Sequence, residues 1–61
     1  MTVQFRDRVT HAFIAERRNV AIADVPAVGD TVILRSLNYK VIRKLRDDEH
    51  NEIHCLVDLV A

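Results

Sequence analysis

The residues with the best-defined chemistry lie near the carboxyl end, in the stretch HNEIHC at residues 50–55. Imidazole, carboxylate and thiolate groups are the usual protein ligands of zinc and related metals. On a helix, His50 and His54 would lie one turn apart and could share an ion. On a strand they would be about 13 Å apart, at ~3.3 Å per residue, which is too far for one ion. Because residues 53–59 alternate as a strand does, the sequence predicts no metal site.

Other reactive side chains lack the neighbours that catalysis requires. Cys55 lies between Ile53 and Val57 on an apolar face, where a free cysteine behaves as a small hydrophobic residue. Ser36 is the only serine and has no G-x-S-x-G turn around it. One glycine cannot form a glycine-rich phosphate loop. We therefore expect a protein that is not an enzyme and that needs no cofactor.

Basic and acidic residues are equal in number but unevenly distributed. Residues 1–20 carry four arginines against two acids, whereas residues 41–61 carry three basic residues against five acids. A net charge of zero argues against strong non-specific binding to nucleic acid, and a polarised charge suits a protein partner or a second copy. Nucleic-acid binding remains the alternative. Its candidate residues are Arg6, Arg8, Arg17, Arg18, Lys40, Arg43 and Lys44.

An acidic segment, DDEHNE at residues 47–52, precedes the last predicted strand and reads as a solvated loop. In that strand one face is apolar, and the other is not purely polar because it carries Leu56 and Val60 beside charged side chains. An apolar contribution to the second face indicates additional cover, as a partner would provide. The candidate protein-binding residues are Asp47, Asp48, Glu49, Glu52, Leu56 and Asp58.

The elements that position these residues begin with an alternating pattern. The odd positions carry Val3, Phe5, Val9, His11, Phe13 and Ala15. This period of two predicts a half-buried strand, interrupted by Asp7, with Val9 and Phe13 in the core and His11 partly buried beside them. A short helix near residues 10–18, beginning at Thr10, is the alternative. We expect RRN to turn the chain into a second strand at VAIADV.

The only proline and the only glycine lie together in VPAVGD. Pro26 lacks an N–H donor and so ends the preceding strand, while Gly29 can adopt a positive φ and reverse the chain. Asp30 can accept backbone hydrogen bonds and close this turn. A hairpin is then predicted around residues 36–38. In its second strand Tyr39, Val41 and Leu45 share a face, and Arg43 interrupts the alternation.

About five short strands separated by turn signals predict an all-β fold, a small five-stranded antiparallel barrel or sandwich. The alternative is an α+β fold with the helix near residues 10–18. Sixty-one residues form a single domain, residues 1–61, whose core is marginal because so short a chain buries only about 60% of its unfolded surface.

The stretch VPAVGDTVILRSLNYKVIRKL resembles the P-x-V-G-D-x-V and Y-x-V pattern of small SH3-like β-barrel proteins of bacteria and phages. The resemblance covers residues 24–45 and implies a strongly bent five-stranded barrel. It extends to the KOW type of SH3-like module in ribosomal and transcription proteins. Those modules have glycines in the turn where this chain has Ser36, Leu37 and Asn38.

The sequence thus favours a small interaction module that binds another protein, with a homodimer as one possibility. An accessory factor of a phage or mobile element that inhibits a host protein fits this description, as does a structural subunit of a larger assembly. The charged stretch at residues 6–8 does not suit a signal peptide, and the lone cysteine suits a reducing compartment. We therefore expect a cytoplasmic location and no membrane partner.

Overall fold

The computed structural model describes residues 1–60, which form five strands and one short 3-10 helix. The strands are β1 (Thr2–Asp7), β2 (Phe13–Arg17), β3 (Thr31–Leu34), β4 (Leu37–Asp47) and β5 (Glu52–Leu59), and the 3-10 helix is Ile22–Asp24. The all-β prediction is confirmed. The alternative helix near residues 10–18 is wrong, because this stretch holds the end of a turn and then β2.

The strands form one curled sheet in the order β2-β1-β5-β4-β3. Three neighbouring pairs are antiparallel, but β1 and β5 are parallel, with Phe5 opposite Cys55. The prediction of a purely antiparallel sheet is therefore wrong. Parallel strands need a long connection between them, and residues 8–51 supply it. Because β2 and β3 lie at the two ends of the strand order, the curled sheet has two free edges.

The core lies on the inner, concave face of this sheet. Its most deeply buried side chains, at 1% exposure or less, are Val3, Phe5, Val41, Cys55 and Val57. They come from β1, β4 and β5, and β5 is the central strand. The predicted face of β5 is confirmed along Ile53, Cys55 and Val57, while Leu59 at the strand end is 61% exposed. Cys55 is a buried free thiol.

The amino-terminal pattern was misleading because the chain turns where the alternation predicts a continuous strand. Val9 is 72% exposed and Phe13 is 50% exposed, so their predicted places in the core are wrong. The Asp7 carboxylate accepts hydrogen bonds from the N–H groups of Val9 and Thr10, both at 2.9 Å, and ends β1 there. His11 then adopts a φ of 61° and is exposed. Two short strands thus replace the single predicted one.

The VPAVGD turn forms as predicted, although the element before it does not. VAIADV contains the 3-10 helix Ile22–Asp24 and not a strand. Gly29 has a φ of 97°, and its N–H donates to the Val41 carbonyl at 2.8 Å. The Asp30 carboxylate accepts from the Ala27 N–H at 2.9 Å. Together these contacts set the direction in which the chain leaves the turn, so that β3 runs alongside β4.

The second hairpin turns one residue earlier than predicted, at Arg35 and Ser36. Both residues have positive φ, 51° and 66°, the combination of a two-residue type I′ turn. Further along β4 the register shifts between Val41 and Arg43, so one extra residue enters the strand. Such a bulge moves the following side chains to the other face.

This bulge explains why Arg43 interrupts the alternation in the sequence. Before the bulge, Val41 pairs with Val57 on the inner face; after it, Arg43 pairs with Leu56 on the outer face. Leu45 pairs with His54 and also lies on the outer face. The prediction that Leu45 shares a face with Val41 is therefore wrong.

Candidate functional site

Exposed apolar side chains gather where β3, β4 and β5 meet at one end of the sheet. We call this surface the end patch; its members and exposed fractions are Ile33 (66%), Leu37 (48%), Leu59 (61%) and Val60 (41%). Asn38 connects them, because it pairs with Ile33 and its carbonyl accepts from the Val60 N–H at 2.8 Å. Three chain segments thus bring four large apolar groups to this end of the sheet. The register places Ile33 and Val60 on the outer face and Leu37 and Leu59 on the inner face.

Strand β3 borders the end patch and forms a free edge of the sheet. The two-residue turn makes Leu34 and Leu37 a hydrogen-bonded pair, and in an antiparallel ladder such pairs alternate with non-bonded ones. The backbone N–H and C=O groups of Thr31 and Ile33 consequently point away from β4. They lie open to an added strand, which is the usual use of a free edge in recognition.

Two cations flank this edge. Arg35 lies in the turn after β3, and Lys40 pairs with Thr31 from the adjacent strand. Among residues 1–60, neither side chain has a carboxylate within 4.0 Å. The edge is therefore apolar at Ile33, with positive charge on both sides.

The arginines of the first twenty residues are largely engaged within the chain. Arg8 binds the Asp58 carboxylate at 2.8 Å, and Arg18 binds Glu16 at 2.7 Å. Each pair cancels a positive charge that a phosphate would otherwise meet. The structure thus lowers the charge available to a nucleic acid in this region.

The remaining nucleic-acid candidates do not form one stripe. Arg6 lies on the outer face, 5.9 Å from the Phe13 ring centroid, whereas Arg17 lies over the Phe5 ring at 5.8 Å. On β4, the register places Arg43 on the outer face and Lys44, opposite Cys55, on the inner side. Lys40 lies farther along, beside β3. Their nucleic-acid role stays a prediction.

The acidic candidates lie around the β4–β5 hairpin. Asp48 pairs with Arg46 at 2.6 Å, and the carboxylates of Asp47 and Glu52 bond to imidazoles. The hydrogen bond from the His50 ring lowers the pKa of Asp47, and Asp47 in turn raises the pKa of His50. Glu49 is exposed in the turn. In the part of the chain that the structure describes, three of the four hairpin acids, Asp47, Asp48 and Glu52, are therefore paired, and Glu49 is not.

The last two candidate protein-binding residues lie in β5. Leu56 is only 4% exposed, on the outer face between Arg6 and Arg43, and so offers little surface to a partner. Asp58 is occupied by Arg8. Binding by these acidic and β5 residues stays a prediction, and none of them belongs to the end patch. The exposed members Ile33 and Leu37 belong to a predicted hairpin, but nothing in their spacing predicted exposure.

A cavity of about 260 Å³ opens on the inner side of β1. Its lining comprises Val3, Phe5, Arg17, Asn19, Val20, Asp24 and Pro26.

Burial raises the pKa of the Cys55 thiol, with Lys44 acting in the opposite sense. A thiol held protonated and out of solvent is a poor nucleophile.

No protein-family model matches the chain, and searches of curated proteins and of solved structures found no match either. Within residues 1–60, no helix has the length and apolar character that crossing a membrane requires.

Proposed function

We propose that this protein is a non-enzymatic interaction module that binds an extended segment of another protein along β3. The observation that carries the proposal is the free edge of β3, where Ile33 is 66% exposed on the same face as Val60. An added strand would bond to the outward backbone groups of Thr31 and Ile33. Its apolar side chains would cover Ile33 and Val60.

The positive charges around the β3 edge indicate which residue types the partner segment would carry. Among residues 1–60, Arg35 and Lys40 have no carboxylate within 4.0 Å, and Asp58, which lies opposite Lys40 in the register, binds Arg8. An acidic residue on the incoming strand would therefore meet a cation at either position. Main-chain hydrogen bonds give affinity in this mode, and alternate side chains give specificity. We therefore propose a segment with alternating apolar residues and at least one acid. An accessory factor that blocks a host protein would use such contacts.

We limit the proposed SH3-like relationship to residues 24–45. The support for it is local, namely the Gly29–Asp30 turn and the hairpin that follows. The parallel pairing of β1 with β5 departs from the antiparallel barrel that the resemblance implies. The interaction proposal depends on the β3 edge alone and not on this relationship.

A selection from a random-peptide display library tests the proposal. Enriched peptides should carry the apolar and acidic pattern, and their binding should shift NMR signals of β3 and the end patch. Ile33→Lys should abolish binding, because it places a charge in the apolar contact. Ile22→Lys is the matched control, since Ile22 is 70% exposed but lies in the 3-10 helix.

Four results would contradict the proposal. Peptides whose signals map away from β3, or whose binding survives Ile33→Lys, would remove the proposed site. A concentration-dependent dimer that Ile33→Lys converts to a monomer would show that the occupant is a second copy. Binding of nucleic acid that weakens steeply with salt would instead favour the alternative function.

A further inference from the structure

The β4–β5 hairpin brings together metal-ligating side chains from two strands. Asp47 and Glu52 are direct partners across the hairpin, and His54 follows Glu52 by two residues on the same outer face. One ligand atom from each of these three side chains lies within 4.8 Å of the other two. The cluster is at the opposite end of β5 from the end patch and shares no residue with it.

The sequence spacing did not reveal this cluster. On a strand, His50 and His54 are too far apart to share an ion, but the third ligand is Asp47, which lies outside the HNEIHC stretch. Cys55 is excluded as a ligand because its side chain is buried on the inner face. Only the pairing of β4 with β5 shows that the carboxylate of one strand faces the imidazole of the next.

We propose that Asp47, Glu52 and His54 form a site for a divalent transition metal of the zinc class. One imidazole and two carboxylates are suitable ligands for Zn²⁺, and a three-ligand site leaves the fourth position to water. All three side chains are partly exposed, between 24% and 31%, which gives an ion access from the outer face. Two of the three stand on β5 and one on the end of β4, so the strand pairing holds them in place.

His50 has a supporting role in this arrangement. Its Nδ1 lies 2.9 Å from Asp47 Oδ2, and Asp47 Oδ1 accepts the His50 N–H at 3.1 Å. Hydrogen bonds to a ligating carboxylate orient it for the metal. Binding would replace the present contact between His54 Nε2 and Glu52 Oε1, which lie 3.1 Å apart, with two bonds to the ion. We therefore place His50 as a positioning residue and His54 as a ligand.

Titration of the full chain, stripped with a chelator, with ZnCl₂ in a calorimeter tests the site. We expect saturable binding of one ion per chain, and visible absorption bands when Co²⁺ is used in its place. Changes outside the first ligand shell typically cost 10–100-fold in metal affinity, so His54→Ala should weaken binding by at least about 10-fold. His50→Ala should weaken it less than His54→Ala does.

His11→Ala is the matched control, because His11 is an exposed histidine in the β1–β2 loop at the other end of the sheet. It should leave the affinity unchanged. Glu52→Gln retains the shape of the side chain and removes its charge, so a loss of affinity in this variant reports the loss of the charge and not a change in side-chain volume. Zinc affinity that survives His54→Ala, an equal loss in His11→Ala, or the absence of saturable binding would each overturn the site.

Discussion

Gly29 offers a direct test of why the chain places its only glycine before β3. Its φ of 97° is a conformation that residues with a Cβ rarely adopt. A Cβ built at this position meets nothing within 4 Å. Gly29→Ala therefore isolates backbone strain from steric collision, and the N–H bond to Val41 needs no change of partner.

The expected loss follows from two opposing contributions. Left-handed backbone costs a residue with a Cβ roughly 1–2 kcal/mol. The alanine also reduces the conformational freedom of the unfolded chain, which offsets about 0.4–1 kcal/mol. We expect Gly29→Ala to lower the free energy of unfolding by about 1 kcal/mol, or the melting temperature by about 4–8 °C.

Urea unfolding followed by circular dichroism measures this loss. Gly29→Asn should lose less, because asparagine tolerates positive φ better than alanine does. Val28→Ala, at an adjacent position that is 59% exposed, should stay within about 0.5 kcal/mol of the parent. An unchanged or stabilised Gly29→Ala would refute the strain argument. A loss above about 3 kcal/mol would show a collision where the structure has open space.

Two further predictions concern titratable groups. Native Cys55 should resist a thiol reagent such as DTNB, because the thiol is buried and burial raises its pKa. In guanidinium the unfolded chain should react fully. Rapid labelling of the native protein would contradict the burial of Cys55. The N–H groups of Thr10 and Val9 lower the pKa of Asp7 below its ordinary value of 3.8. The Asp7 carboxylate therefore contributes its full stabilisation of the fold above pH 3.8, and this contribution is lost as the pH falls through the lower pKa of the folded state. Asp7→Asn keeps an acceptor oxygen without a titration and should flatten the acid end of the stability profile; an unaltered profile would remove Asp7 as a contributor.

Two local features were predictable from the sequence because short-range geometry decides their conformation. Gly29 and Asp30 form the expected turn, because a positive φ and a short acceptor side chain act within a few residues. The alternation of β5 predicted a buried Cys55 between Ile53 and Val57, because the side-chain period of a strand is two. These features need no knowledge of the rest of the chain.

Only the tertiary structure decided which segments lie side by side. Alternation also missed a local turn, in which the Asp7 carboxylate accepts the N–H groups of Val9 and Thr10, ends β1 and leaves Val9 and Phe13 exposed. Nor can it locate the bulge before Arg43, because the extra residue is defined by its pairing with Leu56.

The same reason separates the two proposed sites from the sequence-based candidates. The pairing of β1 with β5 and the free edge of β3 depend on contacts between segments that are distant in the sequence. The contact of Asp47 with His54 depends on the pairing of two strands on opposite sides of a turn. Residue types supplied the side chains for each site. Strand order and register determined which of them face one another and which remain exposed.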